Sequence, residues 1–415
     1  MTAALRRSFD SLEVPNYRRY FIGQVISLSG NWMQNVTTLW LVLTLTNSGF
    51  AVGLTTALQF LPLLLFGAYG GVLADRFPKR QVLFITQTLM AIPALVLFLI
   101  TAFGVEEPWM IYACVFCVGM ANCVDNPTRQ SFVIEMVGPD RLVNAVNLNS
   151  VILETARIIG PAIAGILIAT AGVVPCFGLN VLTFVAMIVA LWSMDPRALQ
   201  AAPTASRKPG AIREGLRQVR RTPELAVPLA LMALVGTLGF NFQVSLPLLA
   251  KFSFGGGAGS YAILVSAMGV GSIAAALVNG NRGKTGAKVI AAASLAFGVA
   301  ALLAAVMPDL AFEAIVLAAL GAASVIFVAS INSTIQLAVS AEMRGRVMAL
   351  FSIVFLGSTP IGGPLTGWLA EAYDPRLTLV LAGVSGLGAA WAARVIFTRM
   401  SERAGQEPHP LGAHV

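Results

Sequence analysis

Residues 70–80 read GGVLADRFPKR, one acid and three bases with a proline, set between two long apolar runs. The run before it, 50–74, and the run after it, 81–103, are each long enough for a helix to cross a hydrocarbon core, which takes about 20 residues. The stretch therefore reads as a polar turn between two membrane-spanning helices. Working outward, apolar runs of this kind occur at 20–45, 50–74, 81–103, 109–126, 147–171, 175–194, 226–250, 261–280, 288–307, 312–334, 347–370 and 377–398, numbered spans 1 to 12 below. The chain has 415 residues, of which 57% are hydrophobic and only 11% charged. Soluble domains carry about 25% charged residues. The composition predicts an all-α integral membrane protein with twelve transmembrane helices.

A net charge of +8 would suggest nucleic acid in a soluble protein, so the placement of the bases decides its meaning. With the amino terminus inside the cell, 24 of the 27 Lys and Arg residues fall in cytoplasmic segments, Arg129 and Arg141 among them. Lys251 and Arg376 fall outside, and Arg157 falls within a span. This obeys the positive-inside rule. It predicts a multi-pass membrane protein with both termini cytoplasmic, in contact with lipid and not with nucleic acid. The first 19 residues lack the apolar core of a signal peptide, and Leu5, Phe9 and Leu12 share a helical face suited to the inner leaflet. Cys114, Cys117, Cys123 and Cys176 fall in or beside spans and read as small packing residues. His409 and His414 lie in the polar tail, so no metal site or histidine catalysis is expected in the membrane.

A basic, proline-containing stretch at 195–225 separates a six-span unit, 1–194, from a second, 226–398, which is followed by a polar tail, 399–415. Within the stretch Ile212, Leu216 and Val219 recur at helical spacing among arginines, which fits either a helix on an anionic leaflet or a solvated linker. The two units are weakly self-similar. Gly160, Pro161 and Arg141 recur as Gly363, Pro364 and Arg344 at an offset of 203, while Gly49, Gly53 and Arg76 recur as Gly255, Gly259 and Arg282 at 206. Such parallel repeats occur in many transporters, and they predict two pseudo-symmetric six-helix bundles.

The opening stretch resembles the signature that the major facilitator superfamily carries between its second and third helices. Gly71, Asp75, Arg76, Lys79 and Arg80 match it, and Pro78 stands where the family has a second glycine. The resemblance implies that Asp75 latches the cytoplasmic face against the start of span 11, near residues 345–347; a simple topology-setting loop is the alternative. The second-unit counterpart keeps Arg282 and Lys284 but no acid. Gly283, Lys284 and Thr285 look like the end of a phosphate-binding loop, yet Val278 occupies the place of its first glycine and no strand precedes it.

Residues 152–165, ILETARIIGPAIAG, put Glu154, Arg157 and Pro161 inside span 5. Gly160, Pro161 and Gly165 resemble part of the superfamily's fifth-helix motif, which implies an exporter working as an antiporter. Ala156, Gly160 and Ala164 make a small-residue face expected to meet Ala267, Gly271 and Ala275 of span 8, with Gly67 and Gly71 of span 2 facing Gly363 and Gly367 of span 11. Glu154 and Arg157, three residues apart, share a helix face. They are either a self-neutralising pair or a proton or substrate-charge site, since ionisable groups in a membrane are costly. Glu154 reads as the one acid deep in any span.

Gln24, Ser27, Asn31, Gln34 and Thr38 form a polar stripe along span 1. Thr237, Asn241 and Ser245 on span 7, and Ser324, Asn332 and Gln336 on span 10, continue it. The stripes serve as interhelical glue or, as the resemblance implies, line a central cavity. Asp125 to Gln130 reads as the end of span 4, with Asp125 and Arg129 joining the Asp75 latch or simply solvated. With 16–24 and 148–162, these residues make the chain resemble the enterobactin-exporter-like, transmembrane secretion effector branch of the superfamily. That resemblance implies a monomeric secondary transporter exporting a siderophore or drug-like molecule, with the proton gradient as energy source and no cofactor. An importer, a lysophospholipid flippase or a transporter-like sensor are the other readings, and an enzyme is not expected.

Overall fold

The computed structural model describes residues 9–200, 211–279, 286–340 and 343–406. Leu5, Arg282, Gly283 to Thr285 and both histidines lie outside them. In hydrocarbon no water satisfies backbone N–H and C=O groups, so each spanning segment closes its hydrogen bonds on itself as a helix. Ten helices are long and apolar enough to cross a membrane. One of them, Pro108–Ala171, has 64 residues and would run about 96 Å, some three times the core thickness. It is two spans, 4 and 5, meeting at Gly138, whose φ of +73° breaks the helix. Span 1, Pro15–Thr46, is equally long enough, but its polar stripe lowers its hydropathy. With it the spans number twelve among the described residues.

The others are Gly49–Arg76, Lys79–Phe103 and Val174–Trp192 in the first half, spans 2, 3 and 6. In the second half, span 7 comprises Pro223–Leu238, Phe242–Leu248 and a π-turn at Leu249–Ser253. Spans 8, 9 and 10 are Ala258–Asn279, Ala287–Ala305 and Leu310–Ala338. Span 11 bends at Ser358 between Arg344–Gly357 and Thr359–Ala372, and Arg376–Gln406 is span 12.

The structure corrects the expected end of span 4. Helix continues through Pro127 to the kink, and Asp125 and Arg129 lie inside it, both buried. They form an i,i+4 ion pair through Asp125 Oδ2 and Arg129 Nε. Asp125 Oδ1 accepts from Thr86 Oγ1 (2.6 Å) and Gln87 Nε2 (2.9 Å) of span 3. The pair therefore ties span 4 to span 3 rather than ending in solvent, and Arg129 is a second basic residue within a span. The stretch that reads as a helix end stays helical, with Asp125 paired to Arg129 and to two side chains of span 3.

Within each half, glycines let alternate helices touch backbone to backbone. Gly70 lies against the Cys123 carbonyl and Gly119 against that of Gln59, joining spans 2 and 4. Gly271 on Ala318 and Gly321 on Met268 repeat the seam between spans 8 and 10. The halves meet along spans 5 and 8 and spans 2 and 11, though not through the residues expected. Gly160 packs on span 1, against Trp32, Ser29 and Met33, while Gly271 faces span 10. The contact of span 5 with span 8 runs instead through Gly165 on Ala262 and Ile158 on Gly269. On spans 2 and 11 the pairs are Gly49 with Gly367 and Gly53 with Gly363, not Gly67 and Gly71. Spacing marks a close-packing face, but the depth at which two helices cross depends on their tilt.

These glycine pairs sit at the end of the bundle away from the chain termini, where polar contacts also cross between halves. Glu371 Oε2 accepts from Ser48 Oγ (2.5 Å) and Phe50 N (2.9 Å), and Lys251 Nζ donates to Leu43 O (3.1 Å). At the terminal end, Arg141 pairs with Asp10 (3.0 Å) and Glu13 (3.4 Å), fastening the turn Asp10–Glu13 onto span 5. The linker helix Ala211–Arg221 does not lie free: it buries Val219, and Glu214 pairs with Arg346 of span 11 at 2.6 Å.

Overpacking a tight seam costs about 1–3 kcal/mol. Gly53→Leu is expected to lower the melting temperature of the detergent-purified protein by several degrees, whereas Gly388→Ala, which meets open space inside a helix, is expected to leave it level or raise it slightly. Removing one partner of a buried ion pair costs about 3–5 kcal/mol because the other charge is stranded. Asp125→Asn is therefore expected to destabilise more than the double change Asp125→Leu with Arg129→Met, measured by the same melts.

Candidate functional site

Span 1 is the axis of the site. Trp32, Asn31, Gln34, Asn35 and Thr38 project from it into a cavity of about 240 Å³. Span 2 adds Thr55, Gln59 and Phe60, span 4 adds Asn122 and Asn126, and Phe184 comes from span 6. Gln243 is the single lining residue from the second half, and Asn35 Nδ2 donates to its Oε1 at 3.5 Å.

The expected polar stripe thus divides into two roles. Asn31, Gln34 and Thr38 reach the cavity. Gln24 and Ser27 do not: Gln24 Nε2 donates to Asn149 Oδ1 of span 5 (2.6 Å), and Ser27 Oγ donates to Gln87 Oε1 of span 3 (3.4 Å). Gln34 does both, accepting from Asn180 Nδ2 of span 6 at 2.7 Å. In the second half, Asn241 donates to Thr237 O at the break in span 7 and Ser245 donates to Asn241 O. Asn332 accepts from Gln336. None of these three lines the cavity. The missed residues are Asn35, Thr55, Gln59, Asn122, Asn126 and Gln243; the i,i+4 pairs Asn31/Asn35, Thr55/Gln59 and Asn122/Asn126 were a signal available for five of them.

Glu154 and Arg157 stand beside the cavity. Arg157 Nη1 lies 3.6 Å from Glu154 Oε2, and the guanidinium sits 5.1 Å from the centre of the Trp32 ring. A cation over an indole face is attracted by the ring quadrupole, so the pair and a cavity wall are mechanically joined. Their side chains are 31% exposed for Glu154 and 43% for Arg157, although Glu154 Oε2 itself is enclosed. Glu154 is not the most enclosed acid: Asp125 is buried, and Glu313, in the first turn of span 10, is fully enclosed with neither oxygen hydrogen-bonded among the described residues. A helix amino terminus favours a carboxylate there.

Of the latch residues, Gly71 is buried, Asp75 is half-buried in the last turn of span 2 and Arg76 is exposed. Arg80 donates to Leu191 O (2.8 Å) and Trp192 O (3.0 Å), closing the carboxyl end of span 6 within the first half. Arg129 pairs with Asp125 as described above. Pro161 is buried beside Gly160 at the face toward span 1.

The transmembrane secretion effector family model matches residues 7–410. The chain is 24% identical to the staphyloferrin A transporter of Staphylococcus aureus, over 88% of this chain and 92% of that protein. It is also 24% identical to the enterobactin exporter EntS of Citrobacter koseri, over 96% and 95%. Its fold is similar to the crystal structure of the D323A mutant of nucleoside transporter NupG, with a TM-score of 0.73, 14% identity and coverage of 92% and 100%. With the family model spanning nearly the full length and the twelve-span fold shared, this chain belongs to the transmembrane secretion effector family of major facilitator transporters.

Proposed function

We propose that the protein exports a small amphipathic molecule by alternating access, driven by inward proton movement, across a bacterial cytoplasmic membrane with both termini inside. The observation that carries this reading is the contact chain from Glu154 through Arg157 to Trp32 on the cavity wall. Protonation of Glu154 neutralises one member of the pair and frees the other; Arg157 then shifts on the ring that borders the ligand, so occupancy and protonation respond to each other. Relatives that export enterobactin and transport staphyloferrin A support a siderophore or drug-like substrate class.

The halves rock about the seams of spans 5 with 8 and 2 with 11. With the termini inside, the Gly49–Gly367 and Gly53–Gly363 contacts and the Ser48–Glu371 bond close the outer end, which corresponds to an inward-facing state. Asp75 and Arg76 at the opposite end are the proposed latch of the outward-facing state, and Arg80 holds the end of span 6 through the cycle.

In everted membrane vesicles with an acid interior, addition of substrate is expected to dissipate the proton gradient in the wild type and not in Glu154→Gln. Dissipation by both, or by neither with any siderophore or lipophilic dye, removes the proton-coupled export reading. Sidedness is tested separately in a background with the four cysteines replaced by alanine. Val105→Cys, in the exposed turn after span 3, is expected to react with an impermeant maleimide in intact cells, and Phe77→Cys, exposed in the turn after span 2, only in everted vesicles.

A further inference from the structure

The cavity is lined by hydrogen-bonding groups that carry no charge. Seven carboxamides, two threonines and the Trp32 indole supply its polar groups, and among the described residues no ionisable side chain lines it. Among the described residues, four of those carboxamides, on Asn31, Gln59, Asn122 and Asn126, make no side-chain hydrogen bond to the protein. Each offers two donors and a two-lone-pair acceptor, so the set suits hydroxyls and amides that both give and take hydrogen bonds. Trp32, Phe60 and Phe184 supply flat apolar walls.

The nearest charges are already engaged. Arg157 is shared between Glu154 and the Trp32 ring, and Asp125 is consumed by Arg129, Thr86 and Gln87. An ion entering the cavity would leave water without meeting an opposite charge, which is strongly unfavourable. Resting on the transporter reading above, we propose that this cavity selects an uncharged molecule rich in hydroxyl or amide groups with one flat apolar face, and discriminates against ions of either sign. The ligand also replaces a contact between halves: a hydroxyl reaching Asn35 competes for the 3.5 Å bond to Gln243, the cavity's one link to the second half.

The test uses the purified full-length chain in lipid nanodiscs at neutral pH, with no gradient imposed. Methylumbelliferyl glucoside, glucuronide and glucosaminide share one aromatic ring and present a neutral, an anionic and a cationic sugar. Equilibrium fluorescence titration is expected to show the glucoside binding about tenfold or more tighter than either charged probe. Asn122→Asp is expected to shift preference toward the glucosaminide by about tenfold, and Gln59→Leu to weaken the glucoside while the melting curve stays that of the wild type. A charged probe binding as tightly as the glucoside, no glucoside binding to folded protein, or an unshifted preference in Asn122→Asp overturns the proposal. Because the titration needs no proton gradient, a failure of proton coupling in vesicles leaves its result standing, and the converse also holds.

Discussion

Self-satisfaction of the backbone in hydrocarbon is the constraint from which the rest follows. It forces twelve helices, and it makes every departure from helix a place where something else must meet the freed groups. At Gly138 the break is closed by Gln200 N donating to Glu135 O at 2.8 Å. In span 7 the chain leaves helix between Leu238 and Phe242, where Asn241 turns its amide back onto Thr237 O. Once the helices are fixed, the absence of a hydrophobic force between them in lipid leaves packing to small residues. That is why glycines, rather than large apolar side chains, hold the seams.

Charge is allotted with the same economy. Asp125 and Arg129 bind spans 3 and 4 together, Glu371 reaches across to the start of span 2, and Arg80 closes the end of span 6. Each lies where burial or a helix terminus gives its charge a partner. None of these charges lines the cavity, and among the described residues the Glu154–Arg157 pair meets its wall through Trp32. The charges thus tie helices together while uncharged polar groups line the cavity, and Gln34 belongs to both sets through its bond from Asn180.

The spans were legible in the sequence because apolar length survives without tertiary information, whereas in the stretch 70–80 only Phe77 and Pro78 lie outside helix. What was not legible depended on partners. The segment DNPTRQ reads as the end of span 4 until Thr86 and Gln87 are known to meet Asp125. Gln24 and Asn31 look equivalent along one stripe, yet Gln24 faces Asn149 and Asn31 faces the cavity, because helix 1 contacts different neighbours at different heights. Gly67 and Gly71 have the spacing for a seam, but spans 2 and 11 cross about four or more turns away, at Gly49 and Gly53.

The linker helix has a consequence for how the two halves communicate. Pinned to span 11 by Glu214 and Arg346 and with Val219 buried, it rides with the second half, while the cavity is carried by the first. A load applied to its exposed arginines, Arg217, Arg220 and Arg221, would act as a lever arm on span 11 without touching the binding groups. Movement of the linker would then be passed to span 11 at Arg346, away from the residues that line the cavity.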